Sequence, residues 1–154
     1  MAQKVSSALR GFLNAYPPEV RKIYIATREI VLTLAPKANE LIYDSYNALS
    51  SVYSFTENMK QGFIHIAAYP KHVNLGFNQG ASLQDPDILL FGTGIRIRHI
   101  KIREIAALEN IGALRLVEQA ILQGKAMRGD KFDRKVLPGN AIVKSISAKK
   151  RRPS

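Results

Sequence analysis

A chain of 154 residues with 46% hydrophobic residues is long enough to close one ordinary domain without metals or disulfides. It has no cysteine, which excludes a disulfide framework, thiolate metal sites and cysteine nucleophiles, and which fits a reducing, cytoplasmic setting. The net charge of +11 is uneven: residues 1–124 hold 13 Lys/Arg against 10 Asp/Glu, whereas 125–154 hold 10 against 2. The basicity therefore belongs mostly to the tail, and a high isoelectric point alone does not mark the domain as a nucleic-acid binder. The start, MAQKVSSALRGFL, lacks the features of a signal peptide, and no stretch approaches the roughly 18 apolar residues of a membrane span, so a soluble protein with no membrane partner is expected.

The expected organisation is an α+β domain over 1–124 and a basic, flexible tail over 125–154. Leu9, Phe12 and Leu13 predict a short helix ending before Pro17-Pro18, because proline lacks the amide proton an interior helical position uses. Val20, Ile23, Tyr24, Thr27, Ile30, Val31 and Leu34 recur at helical spacing and predict a second helix stopped by Pro36. From Glu40 to about Phe77 the period changes to two. Phe63 to Tyr69 and His72 to Phe77 flank Pro70-Lys71 as a hairpin whose register pairs Ile66 with Leu75 and Ile64 with Phe77. That register puts Ile64, Ile66, Ala68, Val73, Leu75 and Phe77 on a core face and His65, Tyr69, His72 and Asn74 on the other. A loop-rich stretch with Gly80, Asp85-Pro86-Asp87 and Gly92-Thr93-Gly94 precedes a strand over 97–102. A closing helix over 110–123 is expected to bury Ile111, Leu114, Val117 and Ile121 and to stop at Gly124. Terminal helices around consecutive strands predict an antiparallel sheet with helices on one face.

Four groups of residues carry candidate chemistry. Gly92, Thr93 and Gly94, with Arg96, Arg98, His99 and Lys101 close by, could cradle a phosphate or carboxylate, since glycines let backbone N–H groups approach an anion; a tight turn into an edge strand is the plainer account of them. Strand alternation sets Arg98 and His99 on opposite faces. Tyr43, Asp44, Tyr46 and Asn47 could line a polar pocket with His72 and Asn74, or Asp44 and Asn47 could turn the chain between strands. The histidines His65, His72 and His99 include imidazoles of the kind that bind zinc or iron, but the hairpin register separates His65 from His72 by roughly 13 Å, so no metal site is expected from that pair. Arg28 and Glu40 suit an ion pair between helix and sheet. No Gly-x-Ser-x-Gly elbow or other catalytic signature is present. Lys149, Lys150, Arg151 and Arg152 form a patch suited to non-specific nucleic-acid contact, or a solvated end.

The segments Tyr16-Pro17-Pro18-Glu19-Val20, Ala35-Pro36, Glu40 to Leu49, Phe63 to Tyr69, His72 to Phe77, Asp85-Pro86, Gly92-Thr93-Gly94 and Arg98 to Ile102, in that order, resemble the YdhG-like domain, a bacterial family largely without assigned function. The resemblance covers most of residues 8–123 and implies helices packed on an antiparallel sheet. Some members are similar to frataxin-type iron-binding proteins, which implies iron as a cofactor or cargo. Ile95 stands where the family pattern usually has a basic residue, and the basic tail has no counterpart in the pattern. The reading that joins these observations is a small non-catalytic binding module for a polar or anionic ligand, with iron binding or delivery, or nucleic-acid association through the tail, as alternatives.

Overall fold

A computed structural model describes residues 3–128 and 139–148. Helices α1 (Ser7–Leu13) and α2 (Pro18–Leu34) open the chain. Strands β1 (Asn39–Asp44), β2 (Leu49–Ser54), β3 (Gly62–Ala68), β4 (Val73–Phe77) and β5 (Arg98–Ile102) follow as an antiparallel meander. Helix α3 (Ile111–Arg128) closes the expected unit. A sixth strand, β6 (Ala141–Ile146), then pairs parallel to β1, giving the order β5-β4-β3-β2-β1-β6. The architecture is the expected α+β class, with one parallel edge strand contributed from residues assigned to the tail.

Alternation along the strands decides what each face carries. Ile64 pairs with Phe77 and Ile66 with Leu75, as the hairpin register predicts, and Leu49, Ser51 and Tyr53 of β2 fall in line with them. These side chains face the helices and form the core with Leu9, Leu13, Val20, Ile23, Tyr24 and Val31. The register shift between Tyr53 and Ser54 is a bulge, and Phe63 beside it is fully buried in the same core.

Helix α3 corrects two expectations. Val117 and Ile121 are buried as expected, but they are joined by Ala113, Leu116 and Ala120, while Ile111 is 67% exposed and Leu114 only partly buried, so the contact face is shifted from the expected one. Gly124 does not stop the helix. A Cβ there would stand 2.4 Å from the Phe63 ring, so the glycine lets α3 lie close on β3 and the helix runs on to Arg128.

The interior also holds charge. Arg28 on α2 and Glu40 on β1 are both fully buried and paired at 3.0 Å. Tyr53 donates to Glu40 Oε2 at 2.7 Å, and the Arg28 guanidinium donates further to the carbonyls of Gln3 at 2.9 Å and Lys4 at 3.0 Å. One residue thus ties the N-terminal segment, α2 and the sheet together. Removing one partner of such a pair strands a charge in the core, so Arg28→Ala is expected to lower unfolding stability by about 3–5 kcal/mol. Urea denaturation checks this, and a variant with wild-type stability would show that the network carries no weight.

Candidate functional site

The helices pack on one face of the sheet; on the other, Leu41 and Ser54 are also fully buried and Val52 and Ala67 nearly so, while Lys101 is exposed. The strand positions of this other face are Asn39, Leu41 and Tyr43 on β1, Ser50, Val52 and Ser54 on β2, His65 and Ala67 on β3, Asn74 and Gly76 on β4, and His99 and Lys101 on β5. None is acidic. Glu40 and Asp44, the two carboxylates on strands β1–β5, both point to the helix side and are buried. Alternation of a period-two strand puts both strand carboxylates on the helix side and leaves Lys101, two histidines and neutral groups on the other.

At one end of this face lies a cleft of about 670 Å³. It is lined by Val52, Gly62 and His65 from the strands, by Met59 and Lys60 of the 3-10 turn Met59–Gln61, by Gly94, Ile95, Arg96 and Ile97 of the loop before β5, and by Asn78 and Gln79. Asn58 builds the turn, its side chain accepting from the Lys60 amide at 2.9 Å. The loop before β5 is held where Phe91 and His99 exchange two backbone hydrogen bonds, at 2.8 and 2.9 Å, and where the Ala81 amide donates to the Arg96 carbonyl at 2.9 Å. The lining brings Lys60 and Arg96 to the cleft beside the apolar side chains of Met59, Ile95 and Ile97, which are 50%, 92% and 52% exposed.

His65 is fixed within this lining. Its Nδ1 lies 2.8 Å from Asn78 Oδ1; a carbonyl oxygen only accepts, so Nδ1 carries the hydrogen and Nε2 presents a lone pair. Its ring lies across Gly76, where a Cβ would come within 2.0 Å of Nε2. Burial holds the imidazole below its ordinary value near 6.5; the bond with Asn78 opposes this, and His99 nearby adds to it.

The sequence-expected residues are dispersed around this cleft. Gly94 lines it, whereas Gly92, with φ +132°, and Thr93 lie in the exposed loop before it. The Arg98 guanidinium turns back on that loop, donating to the carbonyls of Gly94 and Ile97, so it caps the turn instead of reaching outward. His99 lies on the outer face opposite Gly76. Tyr43 is on the outer face, but Asp44, one residue on, is buried on the other, so the two do not share a pocket. Tyr46 and Asn47 are exposed in the turn joining β1 and β2, where the Ser45 amide donates to the Ala48 carbonyl at 3.1 Å. His72 stacks on Tyr69 at 5.0 Å at the hairpin tip, away from the cleft, and Asn74 stands between Ala67 and Lys101. Lys149, Lys150, Arg151 and Arg152 lie outside the described residues. Lys60, Asn78 and Gln79 were not expected, whereas Arg96, one of the basic residues beside the Gly92-Thr93-Gly94 turn, does line the cleft. Asn78 was legible, because it continues the outward alternation of Asn74 and Gly76; Lys60 and Gln79 depend on where loops fold.

Among the described residues there is no group of three or more His, Asp or Glu able to hold a metal ion, and no helix long and apolar enough to cross a membrane. No protein-family model, curated protein or solved structure matches the chain.

The depressed imidazoles have a consequence for stability. Burial lowers His72 as well, helped by Lys101 and Arg103. The unfolded chain protonates these rings near pH 6.5 while the native state resists, so their contribution to stability is present above that pH and is lost as pH falls. The urea midpoint is expected to fall between pH 7.5 and pH 5.5, and to fall less in His65→Gln. A midpoint that rises on acidification in the wild type, or an unchanged dependence in the variant, would contradict this.

Proposed function

We propose that the protein is a cytoplasmic, non-catalytic binding module that takes a small amphipathic anion, a carboxylate or phosphate carried on an apolar body, in the cleft between the 59–61 turn and the 94–97 loop. The observation that carries this reading is the lining itself: Lys60 and Arg96 face a cleft that contains no carboxylate, next to Met59, Ile95 and Ile97. Arg96 offers a planar fork suited to either anion, and Lys60 a compact second charge. Asn78 and Gln79 add neutral hydrogen-bonding groups to the lining. The exposed isoleucines and Met59 lose apolar surface to water only when something apolar covers them, at about 25 cal/mol per Å². Ordinary binding pockets combine these features, an apolar lining with a few convergent polar groups.

The site differs from the one the Gly92-Thr93-Gly94 turn suggests: of the basic residues beside that turn Arg96 lines the cleft together with Lys60, while Arg98 is occupied by the loop carbonyls. A ligand that binds only the native state raises stability as RT ln(1 + [L]/Kd), about 2.7 kcal/mol at a hundredfold excess over Kd. Octyl phosphate and octanoate are expected to raise the melting temperature in a dose-dependent way, inorganic phosphate much less, and the Lys60→Ala/Arg96→Ala variant is expected to lose the response while melting like the wild type. An equal response in the double variant would place the anion elsewhere and overturn the assignment.

A further inference from the structure

On the outer face, β4 runs between β3 and β5, and its Gly76 pairs with His65 on one side and His99 on the other. The two histidines therefore stand in one cross-strand row, two strand spacings or roughly 10 Å apart at the backbone, with a position between them that has no side chain. Into that gap the His65 ring leans. Any residue larger than glycine at 76 would collide with it, since a Cβ would meet Nε2 at 2.0 Å, Cε1 at 2.3 Å and Cδ2 at 2.6 Å. Nε2 is thereby carried across to Gly76, about one strand spacing, roughly 5 Å, from the backbone of His99. That is the distance an imidazole and a metal ion bonded at about 2.0–2.1 Å can bridge.

We propose that His65 and His99, facing each other over Gly76, form a two-imidazole site for a borderline divalent transition ion of the zinc or copper class, with water in the remaining coordination positions. Three observations select this class. The Asn78 side-chain carbonyl holds Nδ1–H at 2.8 Å, which leaves the Nε2 lone pair as the free donor and is the outer-shell arrangement usual for ligating histidines. No carboxylate lies on the strand positions of this face, so calcium and magnesium, which need several oxygen ligands, have nothing to bind. Lys101, outward on β5 and one pair from His99, disfavours any cation held by charge alone, and so favours ions held by directional bonds to nitrogen. The pair differs from the one that sequence spacing compares, because His72 is at the hairpin tip with its ring stacked on Tyr69.

The site shares His65 with the anion cleft but does not depend on Lys60 or Arg96, so the two readings fail separately. The full-length protein is titrated with Cu2+ and followed by visible absorption and electron paramagnetic resonance, with Zn2+ followed by imidazole 15N shifts. One ion per chain is expected, with hyperfine coupling to two nitrogens and Zn2+-induced shifts at His65 and His99 but not His72. His99→Ala removes a partly buried side chain and is expected to keep the fold while weakening binding at least tenfold; His65→Ala is expected to do the same, and His72→Ala and Lys60→Ala/Arg96→Ala to bind as the wild type does. Wild-type binding by His99→Ala, one-nitrogen coupling in the native protein, or no binding at all would overturn the proposal.

Discussion

The buried pair of Arg28 and Glu40 is the constraint around which the rest of the structure is arranged. Two charges removed from water are stable only when their remaining hydrogen-bonding capacity is met, and here Tyr53 and the carbonyls of Gln3 and Lys4 meet it. Meeting it fixes the side of β1 that faces α2. Once Glu40 points inward, Ile42 and Asp44 must follow, and Leu41 and Tyr43 must face away. A slip of one residue would put the carboxylate on the open face and leave Arg28 unpaired in the core, so the register of β1 is specified by charge as well as by hydrophobicity. The outer face then inherits only neutral and basic groups, and this is what allows the cleft beside it to favour an anion.

The strand Ala141–Ile146 is held in a different way from the core strands. Its backbone joins β1 firmly: the Glu40 amide donates to the Asn140 carbonyl at 2.8 Å and the Ser147 amide to the Asp44 carbonyl at 2.8 Å. Its side chains bury little, with Val143 40% and Ile146 61% exposed. Main-chain hydrogen bonds hold it, with Lys144 Nζ donating to the Glu57 carbonyl at 3.1 Å. It covers the edge of β1 without extending the core, which accounts for why its hydrophobicity reads so faintly between the basic runs that flank it in the sequence.

What could be read from the sequence was whatever depends on local period. Helix α2 has a proline at each boundary and a regular apolar stripe, and the β3–β4 hairpin has strict alternation around a short turn, so element and register were both legible. The α3 contact face was legible only at Val117 and Ile121, because Leu116 and Ala120 bury against the core while Ile111 does not, and Gly124 answers to Phe63, which is distant in sequence. The site followed the same division. That His65 faces outward was legible; that His99 stands across Gly76 from it required the β4–β5 register, which a loop of some twenty residues separates in sequence. Asp44 was drawn into a polar cluster by its neighbours in sequence, although the same alternation that placed the hairpin assigns it to the opposite face from Tyr43.

The central claim is that charge sorting across the sheet makes the end of the outer face, between Lys60 and Arg96, the place where an anion binds. Backbone amide shifts in a 1H–15N spectrum, recorded while octyl phosphate is added to the full-length protein, test it residue by residue. Saturable shifts confined to residues 59–62, 65, 78–79 and 94–97 are the predicted result. Shifts centred on the 43–47 turn and His72, or spread along the basic C-terminal residues with the cleft unmoved, would contradict it.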